Sequence, residues 1–231
     1  MTRQSEIQHN ISAIKKRISQ AAKDCGRNPE EVRLVAVSKT QKSSCIGHAI
    51  AAGADIIGEN YIQEAREKFD ALIHLNTQWH FIGHLQSNKA KYAVRIFDLI
   101  HSVDSLKLAQ VLDKHALKAG KQQHILLQVN ISGESTKSGV ENEQALELVQ
   151  NILTLDNLKI QGLMTMPPFF GAPEQARPCF RALRKLRDRM ENQLGIKLPD
   201  LSMGMTGDFE VAIEEGATMV RIGTALFGAR Q

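Results

Sequence analysis

Short runs of apolar residues along this chain alternate with longer segments in which apolar residues recur every three or four positions. A short apolar run that is bounded by turn-forming residues is typical of a buried strand. Strands are predicted on this pattern at 33–39, 54–59, 78–83, 98–103, 124–131, 159–165, 200–204 and 218–223.

The longer segments between the strands have the spacing of amphipathic helices with one apolar face. Helices are predicted at 43–52, 60–73, 87–96, 105–119, 141–154, 173–192 and 208–215. A further helix over 3–24 precedes the first strand, and its apolar face consists of Ile7, Ile11, Ile14, Ile18 and Ala22.

Eight strand–helix units in 231 residues favour an α/β fold of the (β/α)8 TIM-barrel type, with the helix over 3–24 as an addition at the N-terminus. A doubly wound open sheet is the competing fold. That sheet usually has a glycine-rich phosphate turn after its first strand, whereas here no strand runs into GxGxxG and the glycine-rich strand ends come last. The chain has no linker rich in Gly, Ser or Pro, so we expect residues 1–231 to form one domain.

The composition is ordinary for a water-soluble folded protein, with 42% hydrophobic and 23% charged residues. The net charge of +4 is mild and scattered, so it does not call for a nucleic-acid partner. The densest basic stretch, at 177–189, alternates with Phe180, Leu183 and Leu186. This alternation predicts the solvated face of an amphipathic helix, and no nucleic-acid contact is expected from it.

The cysteines and the N-terminus indicate where the protein resides. Cys25, Cys45 and Cys179 are far apart and form no CxxC pair, which fits a reducing compartment and neither a disulfide framework nor a zinc site. The N-terminus is charged, and no apolar stretch approaches the roughly 20 residues of a membrane span. We therefore expect a cytoplasmic protein without a membrane segment.

The last two predicted strands end in small and hydroxyl-bearing residues, where TIM barrels often bind a phosphate. The candidate donors are Ser202, Gly204, Gly223 and Thr224. Glycines there leave backbone N–H groups open to an anion, although they could also serve only tight turns.

Lys39 closes the first predicted strand and shares a face with Val35 and Val37. Its stem is therefore expected inside the barrel, with the amine at the mouth. Burial disfavours the ammonium form and frees a nucleophilic amine for a Schiff base. The alternative is a lysine that only extends its amine to solvent at a strand end.

Arg221 lies within the apolar run of the last strand, on the same face as Gly223. A buried guanidinium needs polar partners, because removing its water costs several kcal/mol. The pair offers a fixed positive charge beside empty space and predicts a small anionic or electron-rich ligand. The alternative is a structural pair between Arg221 and a buried carboxylate.

A nucleophilic lysine, a phosphate cradle and an arginine beside it together suit a phosphorylated aldehyde. Pyridoxal 5′-phosphate is the candidate cofactor: Lys39 would bond its aldehyde carbon and Arg221 would face its pyridine nitrogen. A permanently charged guanidinium leaves that nitrogen unprotonated, so the ring is a weaker electron sink than one paired with a carboxylate.

The chain resembles the pyridoxal phosphate homeostasis protein family along essentially its whole length. The similar segments are Leu34-Val35-Ala36-Val37-Ser38-Lys39-Thr40, Gly58-Glu59-Asn60-Tyr61-Ile62-Gln63-Glu64, Trp79-His80-Phe81-Ile82-Gly83-His84-Leu85-Gln86-Ser87-Asn88-Lys89, Gln128-Val129-Asn130-Ile131, Lys137-Ser138-Gly139, Gly162-Leu163-Met164, Leu201-Ser202-Met203-Gly204-Met205 and Val220-Arg221-Ile222-Gly223-Thr224.

The resemblance implies a single-domain, monomeric barrel like the N-terminal domain of alanine racemase, with the cofactor held on Lys39. It implies that Ser202, Gly204, Gly223 and Thr224 hold the phosphate and that Arg221 meets the ring nitrogen. Asn60 would lie near the ring face or its hydroxyl.

Further residues of the family motifs are secondary candidates. Lys137 could be a second amine for the aldehyde or a solvated loop lysine, while Met205 and Thr206 lie in the turn beside the phosphate residues. His84 stands where the family usually has Pro, and Thr206-Gly207 stands where it usually has Ser and a small or acidic residue. A metal site made by Glu59, His80, His84 and His101 is not favoured, because no ligand spacing supports it.

A carrier that buffers and delivers the cofactor to apo-enzymes is the favoured function. The alternatives are an amino-acid racemase and a Schiff-base aldolase acting on sugar phosphates. Racemases of the resembled barrel take a second base, a tyrosine, from a C-terminal domain, whereas this chain ends soon after its last strand and its tyrosines are Tyr61 and Tyr92. Because two-base chemistry needs two placed bases, we expect no efficient racemase. The aldolase explains Arg221 less well.

Overall fold

A computed structural model describes residues 2–134, 138–168 and 170–228 of the chain. In this part of the chain eight parallel strands close into a barrel, which confirms the predicted (β/α)8 fold. With the short β6, which is not part of the barrel, the strands in chain order are β1 Arg33–Val37, β2 Ile56–Glu59, β3 Gln78–Phe81, β4 Leu99–Val103, β5 Gln123–Asn130, β6 Val140–Glu141, β7 Leu158–Met164, β8 Asp200–Ser202 and β9 Met219–Ile222.

The barrel closes where the first strand pairs with the last. β1 pairs with both β2 and β9, so that Val35 lies beside Ile56 on one side and Arg221 on the other. The short strand β6 stands outside this ring and pairs only with β5. The carboxyl ends of all eight barrel strands therefore meet at one mouth.

Helices cover the outside of the barrel. They are α1 Arg3–Asp24, α2 Ser43–Ala51, α3 Ile62–Leu72, α4 Ala90–Ile96, α5 Leu106–Lys118, α6 Ala145–Ile152, α7 Arg177–Leu194, α8 Phe209–Glu214 and α9 Thr224–Phe227. Short 3-10 helices occur at Pro29–Glu31, Ser87–Lys89 and Pro173–Ala176. Within the described residues, no helix has both the length and the apolar character needed to cross a membrane.

Three of the differences between the observed and the predicted elements have a clear physical cause. The strand predicted over 33–39 ends at Val37, because Thr40 adopts a left-handed backbone conformation with φ of 65° and the chain turns out of the sheet. The helix predicted over 141–154 begins only at Ala145, since β6 pairs with β5. Helix α9 was not predicted, because its apolar residues continue the apolar run of β9.

The core has two parts that share the barrel wall. The outer part lies between strands and helices, where the α1 side chains predicted to form an apolar face are all buried. The inner part is a layer of six apolar side chains inside the barrel: Val35, Ile56, Leu99, Leu126, Met164 and Met219. Val35 is thus an interior residue of β1, and Val37 points the same way two residues nearer the mouth.

Candidate functional site

A cavity of about 400 Å³ opens at the mouth of the barrel. Val37 and Lys39 line it from the end of β1, Asn60 from the end of β2, and Arg221 and Gly223 from the end of β9. Its volume lies within the roughly 300–1,000 Å³ usual for small-molecule sites. The cavity thus brings together side chains that the sequence places 182 positions apart, from Lys39 to Arg221.

The side of the cavity near β2 carries a buried polar atom that has no hydrogen-bond partner among the described residues. This atom is Oδ1 of Asn60, a carbonyl oxygen that can only accept. Burying such an oxygen without a partner is unfavourable, so the amide of Asn60 is strained by its surroundings at this side of the cavity.

Turns after β8 and β9 line another side of the cavity. Met205, Thr206 and Gly207 follow β8, and Gly223 and Thr224 follow β9. Gly223 packs closely against β1, since a Cβ at this position would make a tight contact of 3.3 Å with the carbonyl oxygen of Val37. Four of these residues were site candidates from the sequence: Met205, Thr206, Gly223 and Thr224.

Asp208 is a lining residue that sequence reasoning missed. Its carboxylate accepts a hydrogen bond of 2.6 Å from the backbone N–H of Met205. Burial raises the pKa of Asp208, against the opposing effect of that N–H. The spacing from Met205 to Asp208, three residues across a turn before a helix, was the available signal.

A loop after β7 forms a wall that the sequence did not indicate. Met166, Pro168 and the segment 170–173 line the cavity from this side. Their apolar character offers a surface for the face of a ring. Sequence reasoning missed them because irregular segments have no periodicity to read.

Ser202 and Gly204 are not among the residues that line the cavity, and their predicted role in holding a phosphate stays a prediction. Ser202 is fully buried, and its hydroxyl contacts Arg221 and His101. Gly204 faces α8, since a Cβ there would lie 2.6 Å from Cβ of Ala212, and its carbonyl accepts the N–H of Arg221 at 3.0 Å. Both residues support neighbouring elements of the site from behind.

Arg221 is 3% exposed and keeps its cation beside the cavity. Nη1 donates to Oγ of Ser202 at 2.8 Å and Nη2 donates to the carbonyl oxygen of Thr165 at 2.9 Å. Burial lowers the pKa of Arg221 to about 10, with Asp208 opposing the shift, so the group stays charged at neutral pH. No carboxylate of the described residues lies within ion-pair distance of it. The alternative of a structural Arg–carboxylate pair is therefore not supported.

A chain of hydrogen bonds runs from Arg221 into the barrel. A guanidinium can only donate, so Ser202 accepts from Arg221, and we expect Ser202 to direct its own proton to Nδ1 of His101, 2.9 Å away. In that arrangement His101 carries its proton on Nε2, which lies 3.0 Å from Nδ1 of His80. Burial lowers the pKa of His80 to about 3 and that of His101 well below 6.5. Both rings are therefore neutral, and the direction of the chain sets their tautomers.

Other groups weighed from the sequence lie elsewhere. Glu59 is buried in an ion pair with Lys68, and His84 is exposed. Among the described residues no three His, Cys, Asp or Glu side chains are grouped as metal ligands would be. Lys137 lies outside the described residues.

A larger cavity, of about 860 Å³, lies at the amino ends of the strands. Arg33 and Asp98 are among its lining residues. TIM barrels carry their chemistry at the opposite, carboxyl end, and Lys15 in this cavity already donates to the carbonyl oxygen of Gly53 at 2.6 Å. The smaller cavity at the mouth is therefore the candidate site.

Comparison with known proteins first defines the class. The family model described as alanine racemase, N-terminal domain, matches residues 4–231. Among curated proteins, the pyridoxal phosphate homeostasis protein of Aquifex aeolicus is 47% identical over 96% of this chain and 97% of its own length. That of Escherichia coli K12 is 41% identical, over 98% of this chain and 97% of its own.

A solved structure is similar to this chain over its whole fold. PipY of Synechococcus elongatus PCC7942, whose structure was determined with pyridoxal phosphate bound, superposes with a TM-score of 0.86 at 35% identity. The match covers 96% of this chain and all of PipY. The chain belongs to the alanine racemase N-terminal domain family and, among its members, to the pyridoxal phosphate homeostasis proteins.

Proposed function

We propose that this protein binds pyridoxal 5′-phosphate in the cavity at the barrel mouth and acts as an intracellular buffer and carrier of it. The observation that carries the proposal is the convergence of Lys39, Arg221 and the turns after β8 and β9 on one cavity of about 400 Å³. The names of the homologues and the ligand of PipY support the same ligand.

The chemistry of the lining residues fits this ligand group by group. Lys39 supplies the amine, and the cation of Arg221 suits an unprotonated pyridine nitrogen. Asn60 lines the cavity from the end of β2 and is proposed to lie near the ring face or its hydroxyl. Backbone and hydroxyl donors of Thr206, Gly223 and Thr224 are proposed to hold the phosphate, with Met205 as a further contact.

The ligand's aldehyde supplies reversible carbonyl chemistry to the site. The amine of Lys39 would be the group that bonds the ligand's aldehyde carbon, with loss of one water to leave a C=N bond, the Schiff base. Addition of water would reverse this and return amine and aldehyde. A reversible bond of this kind retains the cofactor and still allows its release, which delivery to another protein requires.

Substitution of Lys39 tests the covalent assignment. We expect Lys39→Ala to remain folded and to lose the absorption band of the Schiff base, because the amine stands at the mouth and contributes little core volume. Borohydride reduction of the wild type followed by peptide mapping should place the label on Lys39. Lys42→Ala, an exposed lysine three positions on, should keep the band, and a label found only on Lys137 would overturn the assignment.

A racemase is the alternative function, and among the described residues no tyrosine lines the site as a second base. Two-base racemisation requires a second base near the same carbon. Tyr61 is 52% exposed, and neither Tyr61 nor Tyr92 lines the cavity. Arg221 in addition leaves the ring a weak electron sink. We therefore propose that the protein is not an efficient enzyme.

Incubation with L- and D-alanine, and separately with an apo-transaminase, distinguishes the two functions. We expect negligible racemisation together with recovery of transaminase activity. Loss of one base is worth about 10²–10⁴-fold in rate. Racemisation at about 1–10³ per second, the usual range for enzymes, would contradict the carrier.

We further propose that residues 1–231 act as one domain and as a monomer, that apo-enzymes are the recipients, and that the compartment is the cytoplasm. Cys25, Cys45 and Cys179 are free thiols in the structure, which suits a reducing compartment. Sedimentation of the loaded protein with and without an apo-transaminase tests the monomer and a direct complex together. A dimer of the carrier in the absence of the apo-transaminase would contradict the proposed monomer.

A further inference from the structure

The ammonium of Lys68 is buried on the inner face of α3, where the side chain is 7% exposed. Nζ donates to Oε1 of Glu59 at 2.7 Å, to Oε2 of Glu64 at 2.9 Å and to the backbone carbonyl of Ser38 at 2.8 Å. A lysine ammonium has three protons, so each of them has an acceptor. Nothing in the proposed ligand chemistry uses this buried cation.

Two carboxylates share this cation and differ in their surroundings. Glu59 is fully buried, and burial raises its pKa against the effects of Lys68 and Ser38. Burial also acts to raise the pKa of Glu64, but hydrogen bonds from Lys68 and from the backbone N–H of Thr40 outweigh it, and this pKa is lowered. Of the two carboxylates, Glu64 is therefore the one whose ionised form the surroundings favour.

The same three side chains hold the backbone on both sides of Lys39. Before it, Ser38 is bonded through its carbonyl to Lys68 and through its hydroxyl to Glu59. After it, the N–H of Thr40 donates to Glu64 at 2.8 Å. Thr40 has φ of 65°, a left-handed conformation that a residue with a branched side chain adopts only when its surroundings enforce it.

We propose that Glu59, Glu64 and Lys68 are positioning residues that fix Ser38 and Thr40 and thereby set where the amine of Lys39 enters the cavity. The inference rests on the proposed function, in which that amine bonds the ligand's aldehyde. It adds residues of α3 and β2 that do not touch the ligand.

Rigid placement matters for bond formation because the amine must meet the aldehyde carbon at one distance and angle. Small displacements of reacting groups by distant substitutions can cost about 10²-fold in rate. Replacing both members of a buried ion pair by neutral residues of similar volume costs little stability, whereas removing one member leaves an uncompensated charge. For a variant that removes both charges, a role in positioning therefore predicts a larger effect on the rate of Schiff-base formation than on folding.

The rate of Schiff-base formation with pyridoxal 5′-phosphate tests this, followed by absorbance and by borohydride trapping on Lys39. We expect Lys68→Met to slow it by at least about tenfold, the equivalent of one lost hydrogen bond to a charged group. Lys121→Met is the matched control, since Lys121 is half-buried and donates to the backbone carbonyls of Val94 and Phe97, remote from Lys39. The control should lose stability without a change in rate.

A second variant covers the case in which Lys68→Met does not fold. Glu59→Gln/Lys68→Met removes both buried charges together and should fold, while still slowing bond formation. Wild-type rates in either folded variant would overturn the inference.

Amide hydrogen exchange at Thr40 in the ligand-free protein separates this inference from the proposed function. We expect Glu64→Ala to speed exchange of that amide by at least about tenfold, while amides in α7 stay unchanged. If the wild type forms no Schiff base on Lys39, the proposed function fails although Thr40 is still protected. If Thr40 exchanges equally fast in wild type and variant, the positioning group itself is refuted.

Discussion

The guanidinium of Arg221 shows how a single buried cation can be kept available to a ligand. Its bonds to Ser202 and to the carbonyl of Thr165 satisfy it without neutralising it. A carboxylate at the same place would have cancelled the charge, and the cavity would have lost its attraction for an electron-rich ring atom. The neutral chain through His101 and His80 extends this arrangement.

We expect ¹⁵N NMR of the ligand-free protein to find His101 and His80 neutral, each with its proton on Nε2. Ser202→Ala should remove the donor to His101 and lower the free energy of unfolding by about 1–3 kcal/mol, since it leaves a buried guanidinium donor unpaired. Ser102→Ala is the control, because the Ser102 hydroxyl is buried without a partner among the described residues. Its removal should be neutral or stabilising. Protonation of His101 on Nδ1 would refute the direction of the chain.

Among the elements, the chain segments that follow β2 and β3 approach each other closely beside the cavity. A Cβ on Gly83 would lie 2.2 Å from the carbonyl oxygen of Asn60 and 2.7 Å from its Cα. Only a glycine permits this contact, which determines where the backbone of Asn60 lies. The strand ends thus position a cavity residue through packing rather than through hydrogen bonds.

We expect Gly83→Ala to separate these strand ends, lowering the free energy of unfolding by about 1–3 kcal/mol and weakening binding of pyridoxal 5′-phosphate. Gly47→Ala in α2 is the control, because its nearest neighbour would be Cδ2 of Leu72 at 3.9 Å. It should raise the free energy of unfolding by up to about 1 kcal/mol through helix propensity. Urea denaturation measures both, and an unchanged Gly83→Ala protein would show that the close approach is not required.

For the whole molecule, the buried histidines link the stability of the barrel to pH. The unfolded chain binds protons at histidine near pH 6.5, whereas in the folded barrel burial lowers the pKa of His80 to about 3. Between these values the unfolded state binds more protons, so stability rises with pH. The stability is fully present above about pH 6.5 and is lost as the pH falls below it.

We expect the free energy of unfolding to fall by as much as about 1.4 kcal/mol per pH unit for His80 as the pH is lowered from 6 towards 4. His80→Gln should flatten this slope, whereas His9→Gln, on the exposed side of α1, should leave it unchanged. Urea denaturation across this pH range provides the measurement. Equal slopes in the wild type and in His80→Gln would contradict neutral burial of that ring.

Much of the fold followed from local pattern. The face shared by Val35 and Val37 could be read from strand alternation, and the helix over 3–24 from its apolar spacing. Local reasoning failed where a distant element intervened. Pairing of β6 with β5 delays the start of α6, and the turn at Thr40 ends β1 before Lys39.

The sequence by itself determined that the fold is a barrel and that Lys39 and Arg221 lie at its mouth, because side-chain periodicity and the parallel topology place strand ends together. Only the tertiary structure decided that Ser202 supports Arg221 and that Lys68 is buried against the backbone beside Lys39. A hydroxyl or an amine carries no mark of its partner in the sequence. The role of each depends on the group that the fold brings within hydrogen-bonding distance. That group is His101 for Ser202, 101 residues away, and Ser38 for Lys68, 30 residues away.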